Sequence, residues 1–587
     1  MSSVELVETS LRHGQQALLL SRLRQRHALV SIALLDQCGF AAIDAFGGAT
    51  FEAQLRFLGE DPFARLRTLR EAAPKTPLLA SLAGQALVGH RHYPDDVVQA
   101  FIACAAQCGI DIFRLFDPLN DVANLTTAAK AAHDAGKEAE GVIVYTPGAT
   151  KDFAAVAKQL KKLGCVRLHL WDPIGALTVT TMRNVVKEMQ AAALPISVGA
   201  TAQTGQAEYV YSAALGAGVS RLDTCLAPLS GGTSYPATEA LVSALAKTKH
   251  GPKLSLEPII QAGEKLEMSL YADLLDPFAA KIETSALTGD VPLTAMGHAL
   301  IELRERNAMD RIDEVEREIV RVRSDLGDPP LASPIVEIIA TQAVYNVCDG
   351  DRYATISQEV NDYCLGLYGN PPKSMDKNVR RTVNGRNEPI DVRPADLLDP
   401  GLPRARELLQ EHGIEPTEEA LICAALFPSE YIAFSKGEIT VERLADEPRV
   451  VAQSMDVVQQ EPVVDFEPAA PTPTASRDLT VEVDGQSYDV RVFGMGAAVV
   501  NDVAVSTSAA ATKPAIREGT IVAPMQGLIV KLNVGVGDTV AAGDVVAVLE
   551  AMKMQNDITA PKGGPVADVH VKQGDVVSPN SPVLTIG

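Results

Sequence analysis

Ile112-Phe113-Arg114-Leu115-Phe116, Gly141-Val142-Ile143-Val144-Tyr145 and Val166-Arg167-Leu168-His169-Leu170-Trp171 are three short runs rich in β-branched and aromatic residues, each separated from the next by a longer amphipathic stretch. Apolar runs alternating with helical stretches are the pattern of parallel strands, because two parallel neighbours need a connection of a dozen or more residues between them. The alternation extends outward from these three. Towards the N-terminus it takes in residues 4–7, 41–45 and 78–82, with amphipathic stretches over 28–38, 51–72 and 95–108. Towards the C-terminus it takes in Ile196-Ser197-Val198 and Arg221-Leu222-Asp223. Eight strands, each followed by a helix, predict an α/β fold of the TIM (β/α)8 type over residues 1–300. Chemistry in such a barrel sits at the carboxyl ends of the strands, which singles out the loops after Leu6, Ala45, Leu82, Phe116, Tyr145, Trp171, Val198 and Asp223.

A chain of 587 residues exceeds one core, so further units are expected beyond the barrel. Residues 301–455 are helical and charged, with Glu and Arg at i,i+3 and i,i+4 spacing over 304–326, and predict an all-α extension with a solvated face. Residues 456–478, which include Glu467-Pro468-Ala469-Ala470-Pro471-Thr472-Pro473-Thr474, read as an extended linker. Residues 479–504 alternate around Asp484-Gly485 as a β-hairpin segment, 505–517 form a second tether, and 518–587 a small all-β domain.

The last segment repeats itself. Ala523-Pro524-Met525-Gln526-Gly527 recurs as Ala560-Pro561-Lys562-Gly563-Gly564, and Gly537-Asp538-Thr539-Val540 as Gly574-Asp575-Val576-Val577. The two half-units flank Glu550-Ala551-Met552-Lys553-Met554, and a chain reversal between them would set Lys553 at a hairpin tip. This segment resembles the biotinyl domain of biotin-dependent carboxylases, in which Ala-Met-Lys-Met is the modification signature. The resemblance implies covalent biotin on Lys553, flanked by Met552 and Met554, and hence a biotin protein ligase as a partner. A lipoyl domain shares the fold, but its lysine usually lies between Asp and Ala.

The first 450 residues resemble the carboxyltransferase region of pyruvate carboxylase and of the oxaloacetate decarboxylase alpha subunit, a family that moves carboxylate between biotin and a 2-oxo acid. The resemblance rests on Gly47-Gly48-Ala49-Thr50-Phe51, on Phe113-Arg114-Leu115-Phe116-Asp117 with Leu119-Asn120, on Thr341-Gln342-Ala343-Val344 and on Pro394-Ala395-Asp396-Leu397-Leu398. It implies a divalent metal that polarises the ketone of the substrate. The positions it assigns to the ligands are altered. The family's Arg-Asp-x-x-Gln-Ser is Arg12-His13-Gly14-Gln15-Gln16-Ala17, its carbamylated lysine is Trp171, and its His-x-His is Gly199-Ala200-Thr201. The arginine expected for the substrate carboxylate is Ala83, and the His-Gln-Met-Pro-Gly-Gly loop is Ser285-Ala286-Leu287-Thr288-Gly289-Asp290. The proton-shuttling threonine is Ser333.

Arg12, Gln16 and Ser333 therefore remain as catalytic remnants, while His13, Trp171, Gly199 and Thr201 make a degenerate metal site at which no metal is expected. The resemblance then implies a biotin-carrying subunit of a multi-subunit carboxylase, charged by a separate biotin carboxylase, with the barrel as scaffold and carboxyl transfer, to an acyl-CoA for example, on a separate carboxyltransferase subunit. The alternatives are a rebuilt pocket that still acts on pyruvate, oxaloacetate or another acid, and a non-enzymatic biotin assembly protein. No P-loop is present to bind ATP. The family's barrels imply a homo-oligomer. A net charge of −22 argues against nucleic-acid partners. The absence of an 18-residue apolar run or an N-terminal apolar segment predicts no membrane span, and with eight scattered cysteines predicts a cytoplasmic protein.

Overall fold

A computed structural model describes residues 3–149, 152–270, 276–284, 287, 291–385, 388–439, 476–483, 486–493, 520–522, 527–541, 544–551, 554–572, 576–577 and 582–586. The chain divides into two compact units, 1–456 and 457–587.

In the first unit β1 (Glu5–Glu8), β2 (Ala42–Gly47), β3 (Leu78–Leu82), β4 (Ile112–Leu115), β5 (Glu138–Val144), β6 (Arg167–Asp172), β7 (Ile196–Ala200) and β8 (Arg221–Thr224) form a closed parallel barrel in sequence order. β8 pairs back onto β1 through Leu6 opposite Leu222 and Val7 opposite Asp223. The eight runs read from the sequence are these eight strands. Two local differences have plain causes. β5 starts at Glu138, because Glu138 lies in register with Ile112 of β4. The 51–72 stretch is broken at Gly59, whose φ of +62° is left-handed. A new helix, Pro62–Ala72, then starts where Asp61 accepts the backbone N–H of Phe63 and Ala64 at 2.9 Å each, with proline in the first turn. A side-chain cap of this kind stabilises by about 1 kcal/mol.

The barrel interior carries charge at a level where such barrels usually hold Val, Ile and Leu. Asp44, Arg114, His169 and Asp223, one from each of β2, β4, β6 and β8, are all buried. Arg114 pairs with Asp223 across the barrel and with Glu140 of β5 at 3.0 Å, and His169 Nε2 lies 3.7 Å from Asp223. Arg221 closes the lower side, 2.8 Å from Glu140 and 3.0 Å from Glu5.

Beyond the barrel, helices Leu293–Glu305, Ile312–Asp325 and Ile335–Cys348 pack around Ile319, Val322, Ile339 and Val344, and this second core also takes in Leu119 and Ile174 from barrel loops. The 304–326 stretch differs from a single solvated helix. It breaks at Asn307, whose φ is +55°, and Glu318 and Arg323 are buried rather than exposed. Glu318 accepts from Asn346 Nδ2 at 2.9 Å and Arg352 Nε at 2.6 Å, and Arg323 donates to the carbonyls of Pro329 and Pro147. Helices Glu418–Leu426 and Pro428–Ser435 sit on the barrel through Phe427 against Phe51, with ring centroids 6.1 Å apart, and through Tyr93 Oη, which donates to the Leu426 carbonyl at 3.0 Å. Residues 440–475, which cover the end of the expected helical extension and most of the linker, lie outside the described residues.

In the second unit, β9 (Ser476–Val483) and β10 (Gln486–Phe493) pair antiparallel from Phe493 opposite Ser476 to Gln486 opposite Val483. The strand thus begins three residues inside the stretch read as linker. The tether 505–517 lies outside the described residues. The terminal domain is two four-stranded sheets. One has the order β11 (Thr520–Val522), β18 (Pro582–Ile586), β16 (Gly564–Val569), β13 (Thr539–Val540); the other has β15 (Met554–Thr559), β14 (Val545–Ala551), β12 (Gly527–Leu532), β17 (Val576–Val577). β12, β13 and β14 have their counterparts β16, β17 and β18 one repeat later, starting at 564, 576 and 582 against 527, 539 and 545. The repeat seen in the sequence is therefore a two-fold exchange of the sheets, which enclose Ile529, Val546, Leu549, Val566, Val583 and Leu584.

Candidate active site at the barrel mouth

Arg12, His13 and Gln16 lie on the helical turn that follows β1. Arg12 donates through Nε and Nη2 to Asp44 Oδ2 at 2.8 and 2.6 Å, and Asp44 also accepts from Ser81 Oγ at 3.0 Å. Its guanidinium is thus neutralised inside the barrel. The His13 ring stacks on Tyr235 at 3.9 Å and 12°, and its Nε2 is buried without a hydrogen-bond partner. Burial, and then the Arg12 cation, hold the His13 imidazole well below its usual pKa, so it is neutral. Gln16 lies against the backbone of Gly48, where a Cβ would stand 2.4 Å from Gln16 Oε1, and it is the left-handed φ of +57° at position 48 that requires glycine.

Trp171, at the end of β6, is half-buried and meets Phe116 edge-on with centroids 5.1 Å apart. Ala332 packs with Val142, Val144, Phe116 and Trp171, which brings Ser333 to this rim. Asp172 turns away from the mouth to accept the backbone N–H of Leu177 at 2.7 Å, and burial pushes its carboxyl up to about 6. At Gly199 a Cβ would meet Tyr235 Oη at 2.9 Å and His169 Nε2 at 3.0 Å, so those two side chains fill the space into which a residue at 199 would project. The Thr201 hydroxyl accepts from Gln203 Nε2 at 2.9 Å.

These residues do not fit a divalent cation. The imidazoles at hand are His13 and His169; His169 Nδ1 is bonded to Ser197 Oγ at 2.9 Å, and both rings lie beside Arg12 and Arg114. The nearby carboxylates, Asp44 and Asp223, are held by those arginines. Among the described residues no three Asp, Glu, His or Cys ligand atoms converge inside the barrel. With Arg12 and Arg114 already neutralised by Asp44 and Asp223, a further ion would bring two uncompensated positive charges into a buried site.

Three members of this region carry no clear signal in the sequence. Tyr235 comes from the loop after β8. Glu337 lies one turn after Ser333, accepts a hydrogen bond from it, and has His298 Nε2 at 3.5 Å. Burial raises the Glu337 carboxyl, but the bond and charge of His298 outweigh that and hold it below its ordinary range. Glu337 could have been noticed as a lone acid in the first turn of an otherwise apolar helix; His298, far off in sequence, could not. Ser285, Ala286 and 288–290 lie outside the described residues, as do Met552 and Lys553. Met554 opens β15, in register opposite Ala551, the last residue of β14.

At the foot of the mouth, Glu8 accepts from the Ser10 N–H at 2.7 Å and the Thr238 hydroxyl at 3.1 Å, and burial pushes its carboxyl up to about 7. The folded state therefore favours the proton. The stability this confers is complete below the unfolded value near 4.5 and declines as pH rises through 7, by about 3 kcal/mol in total. Glu8→Gln, which mimics the protonated acid, is expected to match the parent protein at pH 4.5 and to melt higher at pH 8, as read by thermal denaturation at the two values.

A closed (β/α)8 barrel with an all-α extension, joined to a two-sheet biotinyl-type domain, defines a carboxyltransferase-type protein of the biotin-dependent class. Residues 3–266 match the HMGL-like family, 295–491 the conserved carboxylase domain and 519–586 the family of biotin-requiring enzymes. The chain is 38% identical to one of the pyruvate carboxylase subunits of Methanothermobacter thermautotrophicus, over 95% of each chain. It is 32% identical to the 2-oxoglutarate carboxylase large subunit of Hydrogenobacter thermophilus, over 99% of this chain and 94% of that one. The carboxyl transferase domain of Rhizobium etli pyruvate carboxylase, solved with pyruvate, superposes with a TM-score of 0.71 over 84% of this chain and 89% of that one; at 23% identity this shows the shared fold. The chain belongs to the same family as the Methanothermobacter pyruvate carboxylase subunit.

Proposed function

We propose that this chain is the biotin-carrying subunit of a multi-subunit carboxylase, in which a biotin protein ligase attaches biotin to Lys553 and a separate biotin carboxylase charges it at the expense of ATP. Its barrel serves as a scaffold, self-associating and docking partner subunits, and the carboxylate passes to an acceptor, such as an acyl-CoA, on a separate carboxyltransferase subunit. The observation that carries this reading is the packing of Tyr235 and His169 over Gly199, together with the pairing of Arg12 to Asp44. That arrangement leaves neither donors for a metal nor an uncommitted guanidinium for a 2-oxo acid at these positions. Eight free thiols fit a reducing, cytoplasmic setting. Biotinylated protein incubated with a biotin carboxylase, ATP and bicarbonate should form carboxybiotin, and avidin capture from the native cell should retain a carboxyltransferase subunit. Capture that retains no other carboxylase subunit would favour an assembly or storage role and contradict this reading.

The Ser333, Glu337 and His298 cluster supports a second reading, a rebuilt acid site. Ser333 could accept or return a proton at biotin while Glu337 and His298 take up its charge. Ser333→Ala and Glu337→Gln would then slow discharge of carboxybiotin by roughly 10²-fold, the usual scale of general acid–base assistance. If the barrel is a scaffold, both variants discharge to the partner at the parent rate, which a single-turnover assay of labelled carboxybiotin resolves.

A further inference from the structure

Cys104 and Cys108 lie one helical turn apart at the end of helix Asp95–Gln107, on the outside of the barrel, and face the first turn of helix Glu418–Leu426. The two sulfurs and a Glu419 carboxylate oxygen all lie within 4.8 Å of one another. They line a cavity of about 410 Å3 whose other walls are Arg67, Gln107, Thr417 and Glu418. Arg67 donates to both Glu419 oxygens and, through Nη1, to Cys108 Sγ at 3.4 Å. The hydrogen bond from Cys104, aided by Arg67 and opposed by burial, holds the Cys108 thiol below its usual pKa, while the same bond raises Cys104.

We propose that Cys104, Cys108 and Glu419 form a binding site for a thiophilic divalent cation of the zinc class, with a cavity water completing a tetrahedron. Cysteine sulfur and carboxylate oxygen are both zinc ligands, and three protein ligands leave one position open. On binding, two S–H bonds give way to two S–metal bonds, two protons pass to solvent, and no oxidation state changes. Two thiolates and a carboxylate balance the ion together with Arg67, so the assembled site is neutral. In the metal-free state Arg67 holds two of the three ligands in place; in the bound state it keeps its contact to the second Glu419 oxygen and orients that carboxylate. The ion would tie the barrel's Asp95–Gln107 helix to the Glu418–Leu426 helix of the extension.

The test uses the full-length chain, reduced with a phosphine, stripped with a chelator and titrated anaerobically with Co2+. The expected result is one equivalent bound with a thiolate-to-cobalt charge-transfer band and tetrahedral d–d bands, about two protons released, and a melting temperature raised by added Zn2+. Cys104→Ser and Cys108→Ser should lose the band and the thermal shift, and Glu419→Gln should weaken binding by on the order of 10- to 100-fold. Each variant must retain the metal-free melting temperature and its biotin, which separates loss of ligands from loss of fold. Binding without the charge-transfer band, a band that survives in Cys108→Ser, or no cobalt uptake by the reduced protein would overturn the assignment.

Discussion

Lys553→Arg is expected to give a folded chain that carries no biotin and supports no carboxylation, a loss to background rather than a reduction. Attachment makes an amide from the biotin carboxyl group and the lysine Nζ, which requires a neutral, nucleophilic amine at the moment of attack. A guanidinium stays protonated throughout the working pH range and offers no such amine, although it preserves charge and length. No second lysine substitutes, since Ala551-Met552-Lys553-Met554 occurs once in the sequence. Avidin blotting reads the outcome directly. Lys562→Arg, in the turn between β15 and β16, is the control and should remain fully biotinylated. Retention of biotin by Lys553→Arg would place the attachment elsewhere.

The second large effect concerns the charged layer. Arg114→Met should cost about 3–5 kcal/mol and lower the melting temperature by about 3–5 °C in a unit of this size, because it leaves Asp223 without its cation in the barrel centre. Glu140 is cushioned by Arg221, 2.8 Å away, whereas Asp223 retains only His169 at 3.7 Å, and burial has already pushed Asp223 up to about 6. The deficit should shrink on moving from pH 8 to pH 5, where Asp223 takes up a proton. Replacing Arg114 and Asp223 together by apolar residues of similar size should cost less than Arg114→Met alone, since a buried ion pair returns little beyond the expense of burying it. Differential scanning calorimetry of the three proteins at the two pH values measures all of these terms. Equal melting temperatures for parent and Arg114→Met would show that the layer does not hold the barrel together.

The sequence carried the barrel clearly because parallel strands are buried on both faces and read as apolar runs, whatever the chain does at their ends. It carried the terminal domain through its internal repeat, which the two sheets reproduce strand for strand. What escaped was non-local. Asp44, Arg114 and Asp223 are visible as polar residues in apolar strands, but nothing near Arg114 in sequence indicates that Asp223 is its partner across the barrel. The stacking of Tyr235 on His13 and the filling of the space above Gly199 depend on a loop more than 30 residues from position 199. The charge pattern over 304–326 suggested a solvated face, yet Glu318 and Arg323 are buried because Asn346, Arg352 and two proline carbonyls from other segments satisfy them.

The substituted positions were legible one by one in the sequence, as His13, Trp171, Gly199 and Thr201. Their consequence was not, because loss of a ligand does not reveal what occupies its place. Tyr235, Phe116, Gln203 and Asp44 supply that answer through contacts to His13, Trp171, Thr201 and Arg12.

The most direct test of a barrel that no longer performs 2-oxo acid chemistry is oxaloacetate decarboxylation by the purified, fully biotinylated chain with added Mn2+ or Zn2+. The expected rate is indistinguishable from the metal-only background, in a preparation that still accepts carboxylate on the biotin of Lys553 from a biotin carboxylase. Robust, biotin-dependent release of pyruvate from oxaloacetate under those conditions would contradict it.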